Sequence, residues 1–399
     1  MDQPVFIAGL GVISAIGNTV AQNLLSLEQE KTGIAPIRYL DTEHRDEFPV
    51  GEVKLSNDEL AELSGFKPGI SRTAMLNLIA VREALTDAGI ANLAALRTGF
   101  VSANTVGGMD KTEDFFRDFL SDNAKGRLRD VVNHECGAVT NLVADQLGIR
   151  HYVSTISTAC SSSANAIMYG ARLIKNHMLD VVIAGGTDAL TRFTLNGFNT
   201  LMILDKQPCQ PFDANRRGLN LGEGAGYVVL VSERIAASLK KELYCTLSGY
   251  HNANDAYHQT ASSPEGTGSL LAMEGALKRS GLQPANIGYI NLHGTGTQNN
   301  DSSEGAAISK LFAGHNPKMS STKAFTGHTL GASGGIEAVF SALAVQRGLV
   351  YPNLRFETPI EGFSFTPETR FSSQPAIKHV LSNSFGFGGN CSSLIFSKL

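Results

Sequence analysis

The sequence predicts an α/β protein built from helices layered on strands. Short apolar runs bounded by glycine recur at 5–12 (VFIAGLGV), 181–190 (VVIAGGTDAL), 226–232 (GYVVLVS) and 287–292 (IGYINL), and they read as buried strands. Helical periodicity lies between them at 71–89, 162–176, 269–281 and 336–348. Strands that alternate with helices imply a layered α/β fold. The order of elements also repeats. A helix ending in ALTDAGI precedes the strand TGFVSAN near 71–103, and a helix ending in ALKRSGL precedes IGYINLH near 269–293. A duplicated unit is therefore expected, joined near 233–245, with an N-terminal half 1–240 and a C-terminal half 241–399. The 399 residues, 42% of them hydrophobic, are enough to bury a large core.

Composition excludes several functions. The formal net charge of −4 is too mild to argue for a nucleic acid or membrane partner. The five cysteines, at 136, 160, 209, 245 and 391, are scattered and show no CxxC spacing, so neither a zinc site nor a disulfide framework is signalled. The start, MDQPVFIAGLGVIS, lacks the basic region of a signal peptide, and no apolar run reaches the roughly 18 residues of a membrane span. A reduced, cytoplasmic setting is expected.

Cys160 lies where the β-branched stretch Val153–Ile156 runs into a helical pattern. A cysteine at a helix N-terminus feels the positive end of the macrodipole and free N–H groups, which favour the thiolate and stabilise an oxyanion. A buried structural cysteine is the plain alternative, and the strand–Cys–helix context weighs against it.

Two histidines follow strands in Gly/Thr loops. His293 begins HGTGT, where Gly294 and Gly296 leave room for a ligand and Thr295 and Thr297 offer hydroxyls suited to a linear amide-bearing arm. His328 lies in KAFTGHTLGASG, a glycine-rich loop feeding a helix. Two neutral imidazoles beside a sulfur nucleophile can donate hydrogen bonds to a carbonyl or enolate oxygen. Metal ligation competes weakly, because no third ligand has a recognisable spacing. Lys323 with Glu304 or Glu337 suggests a buried ion pair holding the loop. NSFGFGGN at 383–390 precedes a strand rather than a helix, so it is not a phosphate cradle. Glycines around Phe387 fit a mobile gate better. GLGVIS at 9–14 lacks the third glycine of a dinucleotide fingerprint.

TACSSS at 158–163, HGTGT at 293–297, KAFTGHTLGASG at 323–334 and NSFGFGGN at 383–390 resemble the β-ketoacyl-ACP synthases of type II fatty-acid and polyketide systems, as does PFDANRRGLNLGEGAG at 211–226. The resemblance implies a thiolase-like, five-layered αβαβα fold of two related halves. The usual assembly is a homodimer, or a heterodimer with a chain-length-factor homologue. It implies that Cys160 takes an acyl chain from an acyl carrier protein, over an oxyanion hole formed by the backbone N–H groups of Cys160 and Phe387. His293 and His328 would assist decarboxylation of malonyl-ACP. Lys323 and Glu304 would order the histidine loop, and Phe387 would be the gate. Thr295 and Thr297, with Phe385 and Gly388, would bind the phosphopantetheine arm. Asn291, Glu337, Ser382 and Asn383 match positions that hold a structural alkali cation in some relatives. No cofactor is implied, because the phosphopantetheine arrives on the carrier.

Departures from the pattern leave the acyl substrate open. Arg217 stands where an Asp is usual, Leu219 and Asn220 replace a Phe-Val pair, Cys391 stands where Asn is common, and NHECGAVTN at 133–141 is unusually polar. An acidic carrier calls for a basic entrance, for which Lys67, Arg72, Lys125, Arg127 and Arg129 are candidates. Fatty-acid elongation is the main expectation, and a polyketide or aryl-polyene ketosynthase is the alternative. His328 argues against a thiolase or a Cys-His-Asn synthase, and the intact Cys160 argues against a non-catalytic subunit. A Cys–His hydrolase remains as a reading from another class.

Overall fold

A computed structural model describes residues 3–67, 69–90 and 92–399. The strands of its large sheet are β1 (Val5–Ser14), β2 (Thr98–Ala103), β3 (Tyr152–Ile156), β4 (Val181–Asp188), β5 (Gly224–Ser232), β6 (Cys245–Asn254), β7 (Tyr289–Asn291), β8 (Lys318–Ser320), β9 (His379–Phe385) and β10 (Asn390–Ser397). Their spatial order is β3-β2-β4-β5-β1-β6-β10-β9-β7-β8. Read outward from the centre, each side repeats the same arrangement. In the first half β2 runs parallel to β3 and β4, and β5 is antiparallel to β4 and β1. In the second half β7 runs parallel to β8 and β9, and β10 is antiparallel to β9 and β6. The two half-sheets pair where Phe6 and Ile7 face Thr246 and Cys245.

Five helices complete the layers: α1 (Arg72–Ala88), α2 (Ser162–Lys175), α3 (Thr267–Ser280), α4 (Gln298–Leu311) and α5 (Ser333–Arg347). Helix α1 packs on the outer face of the first half, with Ala80, Ala84 and Ala88 in its core. Helices α3 and α4 cover the second half. Between the two half-sheets lie α2 and α5. This is the expected thiolase-like αβαβα layering. The central position explains why α5 is buried from Ser333 through Val345 and shows no polar face.

The central layer is held tightly by glycines. A Cβ on Gly226 of β5 would sit 2.3 Å from the Ile336 amide nitrogen, and one on Gly335 would sit 2.4 Å from the Gly226 carbonyl oxygen. Helix and strand therefore touch backbone to backbone. The same glycines hid the start of α5, which begins at Ser333 rather than at 336. The strand expected over 287–292 is only Tyr289–Asn291, because Ile287 closes a 3₁₀ turn at Pro284–Asn286.

The structure corrects one surface assignment. Arg72 is buried, with its guanidinium on the Glu223 carboxylate at 2.6–3.0 Å, so it cannot greet a carrier. Lys67, Lys125, Arg127 and Arg129 are exposed, and Arg127 pairs with Asp130. Glu223 also accepts the backbone N–H groups of Val53 and Leu190. Arg72→Ala leaves a buried carboxylate without its cation, which should cost about 3–5 kcal/mol. The urea midpoint of the variant should fall clearly below wild type; an unchanged midpoint would show that the pair contributes nothing.

Candidate active site

The turn between β3 and α2 raises Cys160 to the front of the central layer. Ala159 adopts φ +54°, left-handed for a residue with a side chain, and Ser161 caps α2 immediately after Cys160. The turn is tied down by Ser162, whose hydroxyl accepts the Thr158 N–H at 2.7 Å. It is also tied to the C-terminal loop, because Asn390 Oδ1 accepts from Ser161, Asn165 and Asn252 at 2.7–2.8 Å. The backbone N–H groups of Phe387 and of Cys160 itself bear on the sulfur.

Both histidines reach the same place from the second half. His328 Nε2 lies 3.0 Å from Cys160 Sγ, and its Nδ1 lies 3.0 Å from Ser333 Oγ. His293 meets His328 edge to face, with ring centroids 5.5 Å apart at 86°. Lys323 Nζ lies 3.3 Å from His293 Nδ1 and is paired with Glu337 Oε1. An ammonium only donates, so His293 Nδ1 accepts and its proton sits on Nε2.

Lys323 therefore pairs with Glu337, not with Glu304. Glu304 holds the other histidine loop by its backbone, accepting the N–H groups of His293 at 2.9 Å and Gly294 at 2.8 Å, and the amide of Asn383 at 3.0 Å. Burial pushes its carboxyl up to about 7 against those donors.

Electrostatics here follow from burial. Desolvation, reinforced by Lys323, lowers both histidines well below the usual imidazole range, so both are neutral. Burial pushes the Cys160 thiol up to about 11, against the pull of Lys323 and the two N–H groups. The helix N-terminus was expected to favour a thiolate; burial outweighs that pull here. Burial disfavours both the thiolate and the imidazolium, so the proton leaves as the sulfur attacks.

Two cavities meet at Cys160. A cavity of about 330 Å³ is lined at its buried floor by Cys160, His293 and His328, and at its exposed mouth by Met202, Arg217, Gln298 and Asn299. Thr295, Thr297, Phe385 and Gly388 also line it, with the two threonine hydroxyls 2.9 Å apart. Behind the sulfur is a mainly apolar cavity of about 190 Å³, walled by Val106, Met109, Phe193, Phe198 and Leu330. Phe387 lines both cavities and stacks on Phe198 at 5.8 Å.

The structure adds residues the sequence did not single out. Asp188, at the end of β4, accepts from Thr105 N and Oγ1, Val106 N and Gly331 N at 2.6–3.0 Å, clamping the apolar cavity to the His328 loop. Asn220 explains one departure: it bonds Cys209, Asp205 and Gln207, and its carbonyl accepts the His328 N–H. Cys391 is a small buried neighbour of Phe385. The acid at the end of VVIAGGTDAL was a signal for Asp188; nothing local marked Phe198.

The four cation-matching positions behave differently. Both side-chain atoms of Asn291, and Oε2 of Glu337, are buried with no hydrogen-bond partner among the described residues. The two oxygens among them, Asn291 Oδ1 and Glu337 Oε2, are of the kind an alkali cation takes. The Asn383 side chain is already engaged by Ser393 and Glu304. Ser382 lies buried in β9 beside it.

Comparison with known proteins agrees with this geometry. The family profile for the β-ketoacyl synthase N-terminal domain matches residues 2–236, and that for the C-terminal domain matches 244–357. The chain is 34% identical to 3-oxoacyl-[acyl-carrier-protein] synthase 2 of Staphylococcus aureus (strain N315), covering 100% of this chain and 99% of the relative. Among solved structures, the ishigamide ketosynthase/chain length factor superposes with a TM-score of 0.94 at 27% identity, covering both chains completely. A chain of the complex of the ketosynthase ApeO with its chain length factor ApeC, from Xenorhabdus doucetiae, gives 0.85 at 32% identity, covering 100% of this chain and 98% of that one.

A high thiol pKa has a measurable signature. The rate of iodoacetamide alkylation at Cys160, followed by peptide mass, should climb about tenfold per pH unit from pH 7 to 10. A plateau below pH 8 would mean a resting thiolate.

Proposed function

Because the chain belongs to the β-ketoacyl synthase family, we propose that it condenses a malonyl thioester with an acyl chain held on Cys160, giving a β-ketoacyl thioester in fatty-acid elongation. The observation that carries this reading is the meeting of Cys160 Sγ, His328 Nε2 and the His293 ring where two cavities join. A hydrolase needs water admitted to the acyl-enzyme, whereas here the floor is buried and the second cavity is shaped for an apolar chain.

Acyl transfer comes first. Cys160 Sγ attacks the carbonyl of a carrier-bound thioester while His328 Nε2 takes its proton. The oxyanion forms against the N–H groups of Cys160 and Phe387. The tetrahedral intermediate collapses, and the carrier thiol leaves with the proton from His328. The acyl chain lies in the apolar cavity, beyond Phe387 and Phe198.

Condensation follows. The malonyl thioester enters by the larger cavity, its arm along Thr295 and Thr297. His293 Nε2–H, fixed as a donor by Lys323, bonds the thioester oxygen. The C–C bond to the carboxylate breaks, CO₂ departs, and the electron pair becomes an enolate. The enolate carbon attacks the acyl thioester on Cys160, and the sulfur leaves as a thiolate that takes a proton from solvent to restore the thiol. Neutral donors suit this step, since no external base is needed. An alkali cation would sit against Asn291 and Glu337, neutralising the free oxygen behind Lys323.

The carrier protein is the partner this chemistry requires. The chain pairs with a second copy, or with a chain-length-factor homologue as ApeO does. The 32% identity to a chain of a ketosynthase–chain-length-factor complex keeps an aryl-polyene or polyketide ketosynthase as the second reading. Turnover of a panel of acyl-carriers separates the two by chain type.

Cys160→Gln removes the nucleophile but not the histidines. It should abolish condensation yet keep CO₂ release from malonyl-carrier. His293→Ala should cut CO₂ release by roughly 10²-fold or more. A folded Cys160→Gln that has lost both activities would overturn this division of roles.

A further inference from the structure

Among the described residues, Arg217 is the only permanently charged side chain lining the 330 Å³ cavity; no Lys, Asp or Glu joins it there. It stands at the mouth, with its side chain 58% exposed. It is held in place from behind: Asp205, 3% exposed, accepts Arg217 Nε at 3.3 Å and an Nη at 3.1 Å. Asp205 is in turn fixed by the Gln207 N–H at 2.9 Å, and its carbonyl by Asn220. The guanidinium plane is therefore set, while its remaining N–H groups are free to meet a ligand in the cavity.

The same mouth holds the first turn of α4, with Gln298, Asn299 and Asn300. A helix N-terminus favours an anion. The acid of that turn, Asp301, does not oppose one, because its carboxylate is turned inward onto the N–H groups of Phe212, Thr295 and Gly296. Together these groups make an anion-recognising rim on a cavity whose floor is neutral.

We propose that Arg217 binds the phosphodiester of the phosphopantetheine arm and so positions the incoming thioester. The inference rests on the preceding reading of this cavity as the channel for a carrier-borne thioester. That arm is linear, with the thioester at one end and the phosphodiester at the other. With the thioester at Cys160, an arm running along Thr295 and Thr297 carries its phosphodiester toward the mouth. Arg is suited to the task, since its fork matches phosphate oxygens and stays charged. An ordinary surface arginine would lack the buried carboxylate that aims it, and a malonyl-carboxylate site would lie near the histidines at the floor.

The test measures the rate of Cys160 acylation by three donors bearing the same acyl group: acyl-carrier, free acyl-phosphopantetheine, and acyl-pantetheine, which lacks the phosphate. Arg217→Ala should slow acylation by the first two roughly tenfold and leave the third unchanged. Arg217→Lys should recover part of the loss. The unchanged rate with acyl-pantetheine also establishes that the variant is folded. Equal loss with all three donors would make Arg217 merely structural. Loss confined to acyl-carrier would place the contact on the carrier's protein surface. No loss with any donor would leave malonyl as the only anion it could serve. Each of these overturns the proposal. Wild-type protein that accepts no donor would instead remove the functional reading, and this inference with it.

Discussion

A buried ion pair governs the chemistry of this molecule. Lys323, fully enclosed, is neutralised by Glu337 of α5 and directs its remaining hydrogen-bonding capacity at His293 Nδ1. Burial and this single cation keep both imidazoles neutral, and the ammonium fixes which nitrogen of His293 carries the proton. Taking away one partner leaves a charge in a dry interior, a large penalty that binds the catalytic geometry to the stability of the central layer.

The duplication of the fold explains how three side chains far apart in sequence share one thioester. Cys160 leaves β3 and enters α2. Lys323 and His328 leave β8 and enter α5. These are the equivalent β-to-α junctions of the two halves, and α2 and α5 pack side by side in the central layer. Thr105 and His293 follow β2 and β7, again an equivalent pair. In the first half that position forms the wall of an apolar cavity, clamped by Asp188. In the second it supplies a hydrogen-bond donor. One repeated unit thus gives a nucleophile with an acyl pocket, and its copy gives the donors with an arm-binding channel.

Much of this was legible in the sequence, for a physical reason. Cys160, His293, His328 and the FGFGG loop occupy glycine-, serine- and threonine-rich turns beside strands, where packing alone would not choose those residues. Properties created by burial were not legible. The sequence offered Glu304 and Glu337 as equal partners for Lys323; the helix that each rides decided between them. The thiol state of Cys160 depends on its burial, which no local pattern reports. Arg72 looked like a surface cation because its partner Glu223 lies 151 positions away. Phe198, which stacks on Phe387, sits on an unremarkable helix. The start of α5 was hidden because its glycines serve close packing rather than a turn.

The account stands on an acyl thioester forming at one sulfur out of five. Its most direct measurement is intact-mass analysis of the protein after incubation with an acyl-carrier, followed by peptide mapping. The expected result is one acyl adduct per chain, on Cys160, with Cys136, Cys209, Cys245 and Cys391 unmodified. A protein that gains no acyl mass, or gains it elsewhere while Cys160 stays free, would contradict the account.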